Sequence, residues 1–412
     1  MYVHHLAIKN IRCIEKTGVD LRHPDVGEQA KGGVDNVNLI LGNNGMGKTT
    51  LLRAAALSVL APIIQETGYV SHRMVREGFT QASIEGSLLL SGKECPSHHK
   101  TWLTRLEVTR MSSDVETSEI VFPDNGLETG WGLNYFQKNL RNIFYEDRHP
   151  DLFLVGYGAT RRMESGEYNP GAIKKRRRLR YHRVASLFED NEALIPLVSW
   201  LPDYRGENRR YQQLILLINR LMPKGITLLD QRQEDGEYLF KQGEILLPFS
   251  TLSDGYRAYI AWVTDLISHM AVCAGNKLAL TAMRGVVLVD EIDLHLHPEW
   301  QLEVINLVST ALPNLQFIFT THSPIVAGTS PHPPLVLEKG PSGSAVLHHL
   351  QESIHGMNAE QILLSPYFGM ETTWAESKRR ELDDLANRAD EGDMDSARAY
   401  LAMMAARREQ AS

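Results

Sequence analysis

The residues with the clearest chemical meaning form a glycine-rich segment, Gly42-Asn43-Asn44-Gly45-Met46-Gly47-Lys48-Thr49-Thr50, which follows a mostly apolar run at 38–41. Glycines let the backbone curl so that successive N–H groups face a phosphate group, and a helix starting near Gly47 adds the positive end of its dipole. Lys48 supplies a point charge for the β- and γ-phosphates, and the Thr49 hydroxyl can bind a magnesium ion that bridges them. The spacing G-x-x-x-x-G-K-T between a strand and a helix predicts that the chain binds a nucleoside triphosphate.

A second apolar strand, at 285–289, ends in two acids, Asp290 and Glu291. In phosphate-loop enzymes the first acid holds magnesium, mostly through water, and its strand lies beside the strand that leads into the loop. An acid directly after it can polarise the attacking water as a general base. We therefore expect Asp290 to serve the metal, Glu291 to serve the chemistry, and the two strands to be neighbours.

Two further segments carry weaker signals. Ser253, before a predicted helix, is expected to cap it, and Gly255 is expected to leave the first-turn N–H groups accessible to an anion. On its own, this pattern is often only a helix cap. His322 ends an apolar strand at 317–320. A single histidine there would usually be structural, but the preceding acid pair favours contact with a γ-phosphate.

Taken in order, these four segments resemble the nucleotide-binding domain of the ATP-binding-cassette type, within its SMC-, RecF- and OLD-like branch. Residues 42–50 match the Walker A motif, and 286–291 match the Walker B strand with its catalytic glutamate. Residues 252–256 match the signature sequence. The phrase Asp290-Glu291-Ile292-Asp293-Leu294-His295-Leu296-His297-Pro298, with Thr320-Thr321-His322-Ser323-Pro324 later, is especially similar to the stand-alone AAA family ATPases of bacterial anti-phage and DNA-damage systems, such as the Septu type.

The resemblance implies ATP and Mg²⁺ as cofactors and a defined set of site residues. The implied catalytic residues are Glu291 and His322, and the implied magnesium ligands are Thr49 and Asp290, mostly through water. The implied nucleotide contacts are Asn43, Asn44, Gly45, Gly47, Lys48, Thr49, Thr50, Arg12, Ser253 and Gly255. Arg12 is included because the opening segment at 6–12 resembles the first strand of the group, where a basic residue approaches the nucleotide.

Three segments differ from the family's motifs or add to them. Asp254 and Tyr256 stand where transporters have glycine and glutamine, which is common in this branch. No glutamine follows the strand at 152–155, so the role of the family's Q-loop stays unassigned, with Arg161 as a candidate. The stretch after the acid pair corresponds to the D-loop, which meets the partner subunit's nucleotide, and it implies that Asp293 and His295 are interface residues.

The coarse pattern of elements predicts an α/β fold: an ABC-ATPase-like P-loop nucleotide-binding domain with a mostly helical insertion and a short helical C-terminal tail. Its boundaries are expected at 1–160 and 226–350 for the ATPase domain, 161–225 for the insertion with a basic segment, and 351–412 for the tail. Alternation of helices and strands implies a mostly parallel sheet covered by helices. Single helices are expected at 298–312 and through much of 194–222.

Composition narrows the class of protein. The chain of 412 residues has room for about two or three domain-sized units, and 43% hydrophobic residues are ordinary for a globular protein. Three widely spaced cysteines suggest neither a disulfide framework nor a zinc site. No long apolar stretch or signal peptide is evident, so the cytoplasm is expected and no membrane partner is. The net charge of −7 argues against a uniformly basic nucleic-acid binder but permits a local basic patch.

Such a patch lies in the insertion, where Lys174 to Arg183 carries seven lysines or arginines in ten positions. It could bind nucleic acid or remain a solvated charge run. The acids of the tail, Asp383 to Asp395, could suggest a nuclease, but about 60 helix-like residues cannot supply that domain's sheet. A solvated helical bundle or a partner-docking element is favoured instead. Alternating His295, His297 and Glu299 with His322 give poor geometry for a transition metal.

Three functions compete. The favoured one is a Mg²⁺-dependent ATP-hydrolysing switch or sensor in DNA-related or anti-phage defence, with a separate effector such as a nuclease. The alternatives are a RecF-like repair or recombination ATPase, which would share the catalytic residues, and a transporter ATPase, which the diverged signature and the long insertion disfavour. Because the family's signature closes over the γ-phosphate of a second subunit, we expect an ATP-linked homodimer or a larger assembly of dimers.

Overall fold

The computed structural model divides the chain into two units, Met1–Ala359 and Glu360–Ser412, which are described separately. The described residues are 1–24, 35–66, 69, 71–89, 101–110, 116–121, 152–161, 180–234, 236–276, 278–341, 343–350, 352–374 and 376–410. Among the helices of this part of the chain, none combines the length and the apolar character needed to cross a membrane.

Within the described residues the first unit has fourteen strands: β1 (Tyr2–Ile11), β2 (Ile14–Asp20), β3 (Val37–Gly42), β4 (Gln81–Leu89), β5 (Thr101–Arg110), β6 (Glu116–Val121), β7 (Leu154–Tyr157), β8 (Ile226–Arg232), β9 (Tyr238–Gln242), β10 (Ile245–Pro248), β11 (Gly285–Val289), β12 (Leu315–Thr320), β13 (Leu335–Lys339) and β14 (Ala345–His349). Eleven form one sheet in the order β6-β5-β4-β1-β2-β14-β13-β3-β12-β11-β7. The other three form a small sheet in the order β10-β9-β8.

The large sheet is half parallel and half antiparallel, so the expectation of a mostly parallel sheet is wrong. Strands β13, β3, β12, β11 and β7 run parallel, whereas β2, β1, β4, β5 and β6 form an antiparallel series. The difference follows from the burial pattern. Strands β11 and β12 are buried at every position, as parallel strands covered on both faces are, while β4 alternates between more and less buried residues.

Strand β12 lies between the loop-bearing strand β3 and the acid-bearing strand β11. Phe319 of β12 pairs with Leu39 on one side and with Val289 on the other. The expectation that β3 and β11 are direct neighbours is therefore wrong. All three strands are mostly apolar and buried, and such runs carry no information about their order in a sheet. Because the three are parallel, their carboxyl ends still meet at one edge.

The helices of the described residues are α1 (Lys48–Leu60), α2 (Leu197–Trp200), α3 (Asn208–Leu221), α4 (Asp254–Ala274), α5 (Pro298–Gln301), α6 (Val304–Ala311), α7 (Pro324–Gly328), α8 (Ala359–Leu364), α9 (Glu376–Asp390) and α10 (Met394–Gln410). The expected helix at 298–312 is interrupted between α5 and α6. The expected helical stretch at 194–222 consists of α2, a 3₁₀ turn at Leu201–Tyr204 and α3. Pro196 and Pro202 lack an N–H group, which divides that stretch.

Helix α1 follows the phosphate loop and fills the core beneath the antiparallel strands. Its buried side chains include Leu52 and Leu57, which belong to the same apolar cluster as Ile84 of β4 and Leu106 of β5. Each buried leucine or isoleucine contributes about 1.5–3 kcal/mol to folding. The start of α1, where the phosphate loop ends, is therefore anchored by most of the length of the helix.

Helix α4 is fixed beside β7 by a buried carboxylate. Asp265 of α4 accepts hydrogen bonds from the Tyr157 hydroxyl at the end of β7 (2.8 Å) and from the Ile195 backbone N–H (2.8 Å). Tyr157 also uses its carbonyl to accept from the N–H of Asp290 at 2.8 Å. This chain of contacts places the signature helix, β7 and the first acid in one connected unit.

The second unit is helical, as expected for the tail. Helices α9 and α10 pack against each other, and Asp393 between them accepts a hydrogen bond from the Ser396 hydroxyl at 2.6 Å. No residue of α9 in this described stretch is buried. A helix pair that buries so little surface agrees with the expected solvated element and offers no sheet on which a nuclease centre could be built.

Candidate nucleotide-binding site

The phosphate loop joins β3 to α1 through glycines with left-handed backbone angles. Gly47, the N-cap residue of α1, has a φ of 96°, and a Cβ atom there would lie 2.6 Å from the Cys13 Sγ. Glycine is thus required at Gly47 both by its backbone angle and by the close approach of the turn between β1 and β2. None of the described side chains caps α1, so its first-turn N–H groups are available for an anion. Asn43, Asn44 and Gly45 are exposed, as expected for residues that contact a ligand.

The Lys48 side chain is buried and held at the carboxyl edge of the parallel strands. Its ammonium group donates to the carbonyl oxygens of Gly42 (2.7 Å) and Asn43 (3.3 Å) and to Nε2 of His322 (2.6 Å). Because Nε2 accepts this bond, the imidazole is neutral and carries its proton on Nδ1. Burial and the Lys48 charge lower the pKa of His322. Burial also lowers the pKa of Lys48, against the opposing effect of three nearby carboxylates.

Asp290 is buried, and both of its carboxylate oxygens are oriented by hydroxyl groups. The Thr49 hydroxyl donates to Oδ2 (2.6 Å), and the Thr320 hydroxyl donates to Oδ1 (2.5 Å). Thr49 and Asp290 therefore bring two oxygen ligands together from the phosphate loop and the acid-bearing strand. A pair of this kind suits Mg²⁺, which is held by one or two protein oxygens, phosphate oxygens and water rather than by a closed cage of side chains.

Glu291 stands in a conformation that is unusual for its type, with a φ of 48°. Its N–H donates to the Thr320 hydroxyl oxygen (2.8 Å), and its carbonyl accepts from the Arg161 guanidinium. Left-handed angles cost about 1–2 kcal/mol for a residue other than glycine, so the surrounding contacts must hold them in place. Arg161, the candidate for the Q-loop role, instead contacts the main chain of the two acids.

The residues before and after His322 both form side-chain hydrogen bonds, one to the D-loop and one to α5. The Thr321 hydroxyl donates to Asp293, and the Ser323 hydroxyl donates to Oε1 of Gln301 at 2.6 Å. Asp293, expected at a subunit interface, is half-buried and bonded within its own chain, whereas His295 is exposed. These contacts join the position of His322 to the conformation of the D-loop.

The signature segment lies against this D-loop. Ser253 is the N-cap residue of α4, but among the described residues its side chain makes no capping hydrogen bond, so the expectation of a side-chain cap is wrong. A Cβ atom on Gly255 would clash with the carbonyl oxygen of His295, so this glycine is needed for close packing. Tyr256 packs on Trp300 with ring centroids 3.9 Å apart. The exposed Ser253 is left at the surface beside the D-loop.

With this geometry established, comparison with known proteins identifies the family. The profile described as "AAA domain, putative AbiEii toxin, Type IV TA system" matches residues 37–327, well over half of the chain. The chain belongs to this AAA family. A second AAA domain profile matches residues 5–60. The crystal structure of the SmcHead bound to the C-winged helix domain of ScpA matches the fold with a TM-score of 0.52 and 16% identity, over 85% of this chain and 98% of that one.

Curated relatives of this AAA chain include a Septu protein and a retron ATPase. The Septu protein PtuA of Bacillus mycoides (strain KBAB4) is 27% identical over 341 residues, which are 81% of this chain and 41% of that protein. The Retron Vc95 probable ATPase of Vibrio cholerae serotype O1 biovar El Tor is 38% identical over 91 residues, or 22% and 18% of the two chains. The AAA chain thus spans less than half the length of these relatives.

Arg12 and Arg183, both named from the sequence, have contrasting environments in the structure. Arg12 is exposed in the turn between β1 and β2, the same turn whose Cys13 touches Gly47, so it lies beside the phosphate loop. Arg183, at the end of the basic run, is buried and donates to Sγ of Cys273 at 3.0 Å. The prediction that the run contacts nucleic acid is therefore wrong for Arg183, while residues 174–179 lie outside the described part of the chain.

The sequence did not indicate the role of Thr320 in the AAA site, and it offered Arg161 only as a candidate for the Q-loop position. Thr320 orients both Asp290 and the N–H of Glu291, and Arg161 bonds to the main chain of the same pair. A hydroxyl at the end of the strand that precedes His322 is a signal that could have revealed Thr320. Arg161 acts through main-chain carbonyls about 130 positions along the chain, and no local pattern predicts such a contact.

Proposed function

We propose that this AAA chain binds ATP with Mg²⁺ and hydrolyses it. The observation that carries the proposal is the meeting of Lys48, the Thr49–Asp290 pair and His322 at the carboxyl edge of three adjacent strands. Each group has the chemistry that a phosphate chain needs: a cation, two magnesium ligands and an imidazole. Family membership in the AAA class supports the same conclusion.

Each site residue has its own proposed role in hydrolysis. Lys48 exchanges its carbonyl and imidazole partners for phosphate oxygens, and His322 is then available to contact the γ-phosphate. Thr49 and Asp290 would hold Mg²⁺, which supplies charge neutralisation and orientation of the phosphates. Glu291 accepts the proton of the attacking water as general base. The further nucleotide contacts that we propose come from the same loop, the start of α1 and the turn beside it. They are Asn43, Asn44, Gly45, Gly47, Thr50 and Arg12.

Replacing Lys48 with alanine is expected to weaken ATP binding about 10- to 150-fold, because a charge-assisted hydrogen bond is worth about 1.5–3 kcal/mol. Binding is measured by titration of the purified chain with ATP and Mg²⁺. Lys224→Ala is the matched control, since Lys224 is an exposed lysine paired with Glu303 and distant in sequence from the site residues. Unchanged affinity in Lys48→Ala would contradict the assignment of the phosphate site.

We further propose that the ATPase is a switch in anti-phage defence that acts with a separate effector, such as a nuclease. Similarity to the Septu protein PtuA over most of the chain and to retron ATPases supports this role. The exposed, charged surface of α9 suits docking of a partner. We also propose that the basic run before Arg183 contacts nucleic acid, since its charge contrasts with the net charge of −7.

Recovery of the tagged chain from its native host during infection tests both partner proposals. We expect an effector protein to co-purify with the wild type and with a variant in which Arg176, Arg177 and Arg178 are alanine. Recovered nucleic acid should fall by about tenfold or more in that variant, because three phosphate contacts are lost. The matched control removes the charges of three exposed residues outside the tail, Arg209, Lys224 and Lys339. Equal nucleic acid would assign the run to solvent or to an acidic protein, and absence of an effector would favour a RecF-like repair role.

A further inference from the structure

Arg161 is a buried arginine that bonds to main-chain carbonyls instead of to a carboxylate. It follows β7 directly after the Gly158-Ala159-Thr160 turn, and only 6% of its surface is exposed. One nitrogen of its guanidinium donates to the carbonyl oxygen of Asp290 (3.2 Å) and to that of Glu291. The two hydrogens of this single nitrogen thus bond to two successive carbonyl groups of the acid pair.

These bonds act on the residue whose backbone is strained. Glu291 has a φ of 48°, and Arg161 itself has a φ of 30°. The Glu291 N–H is held by the Thr320 hydroxyl at 2.8 Å, so with Arg161 on the carbonyl both polar groups of this main-chain unit are fixed. The direction in which a side chain leaves the backbone follows from φ and ψ. The conformation held by these bonds therefore sets the direction in which the Glu291 side chain leaves the backbone.

The charge of Arg161 is balanced by its surroundings. Burial lowers the pKa of the Arg161 guanidinium to about 10, against the carboxylates of Asp290, Asp293 and Glu291, which raise it. The group therefore stays protonated at neutral pH. A lysine at the same position would keep the charge, but its ammonium lies one bond nearer to Cα than the terminal guanidinium nitrogens, so it would not reach both carbonyl oxygens as arginine does.

We propose that Arg161 is a positioning residue for hydrolysis, which holds the Asp290–Glu291 main chain so that the Glu291 carboxylate faces the attacking water. Arg161 acts through the backbone of Glu291 and touches neither nucleotide nor metal. The assignment rests on the proposed ATP hydrolysis. It adds to that activity a residue outside the Walker A and Walker B motifs. It also accounts for a buried cation after β7 that, among the described residues, bonds to main-chain carbonyls.

A purely structural role is the competing explanation, and the chain contains a matched control for it. Arg210 is also buried, with 7% of its surface exposed, and one of its nitrogens also donates to two carbonyl oxygens, those of Gly275 and Leu278 (2.9 Å). These carbonyls close the C-terminal end of α4, away from the acid pair. Substituting Arg210 therefore removes the same kind of bonding without touching Glu291.

The experiment compares Arg161→Lys and Arg161→Gln with Arg210→Lys in ATP hydrolysis, ATP binding and thermal unfolding. In the Arg161 variants we expect kcat to fall about 10- to 100-fold, because small displacements of a catalytic group have effects of that size. KM and the Kd for ATP with Mg²⁺ should stay within about twofold, since the phosphate loop is untouched. Arg210→Lys should lower the unfolding temperature and leave kcat near wild type. If Arg161→Gln does not fold, Arg161→Lys decides the result.

A double substitution separates positioning from a general loss of structure. In a Glu291→Gln background the Arg161→Lys change should lower the residual rate by less than about twofold, because the group that it positions is already gone. Full additivity, or a kcat in Arg161→Lys equal to that of Arg210→Lys, would overturn the assignment while leaving ATP hydrolysis intact. A wild-type chain that binds ATP and does not hydrolyse it would instead overturn the proposed activity, and the role of Arg161 with it.

Discussion

Exchanging Glu291 for glutamine is expected to leave ATP binding within about twofold of wild type and to reduce hydrolysis about 10²- to 10⁴-fold, the range for loss of a general base. Glutamine keeps the size and polarity of the side chain but cannot accept the proton of the attacking water. The measurements are ATP titration and phosphate release with Mg²⁺ present. Glu299→Gln, the same change at an exposed residue of α5, is the matched control. Wild-type turnover in Glu291→Gln would remove Glu291 from the mechanism.

The choice of Glu291 over its neighbour as the base follows from how the two carboxylates are used. Both oxygens of Asp290 accept hydroxyl bonds, from Thr49 and Thr320, so this group is oriented toward the phosphate loop. Glu291 is fixed through its main chain, with its N–H and carbonyl bonded, and these bonds do not use its carboxylate. We therefore propose that Asp290 serves the metal and that Glu291 serves the attacking water.

Much of the phosphate-binding half of the site could be predicted from local pattern. The glycine spacing, Lys48 and Thr49 lie in one short segment whose chemistry follows from neighbouring residues. The apolar run before Asp290 has the length and composition of a buried strand, and β11 has the bounds 285–289 that the sequence predicts. Features of this kind depend on periodicity and on residue type within a few positions.

The order of the strands could not be predicted in this way, nor could the contacts that hold the acid pair and Gly255. β3, β11 and β12 are equally apolar, so their sequence does not show that β12 lies in the middle. The left-handed angle of Glu291 arises from Arg161 and Thr320, which are far away along the chain. The need for glycine at Gly255 comes from the His295 carbonyl. Each of these depends on tertiary contact, which residue propensity does not encode.

The location of the signature segment bears on assembly. Within the described residues, Gly255 and Tyr256 contact the D-loop and α5, and Ser253 is exposed beside them. The phosphate loop already has a complete set of polar groups from its own chain. Lys48 bonds to a carbonyl of the loop, and Thr49 bonds to Asp290. We propose that Ser253 and the first turn of α4 serve the γ-phosphate bound by a second copy of the chain. A symmetric pair would then contain two composite sites.

The variant Ser253→Arg is expected to bind ATP within about threefold of wild type and to hydrolyse it at least about 100-fold more slowly, because bulk and charge at the interface prevent closure over the partner's nucleotide. Ser353→Arg, the same change at an exposed serine outside the motifs, is the matched control. ATP titration, phosphate release and ATP-dependent dimerisation by light scattering provide the measurements.

Mixing Ser253→Arg with Lys48→Ala gives the sharper result. Each variant alone damages both sites of a symmetric pair. A mixed pair contains one site with both defects and one with neither, since the intact phosphate loop of the Ser253 variant meets the intact signature of the Lys48 variant. If subunits exchange at random and the sites work independently, a 1:1 mixture should recover about a quarter of wild-type activity. Failure to recover activity, with subunit exchange demonstrated by differently labelled chains, would contradict composite sites that act independently.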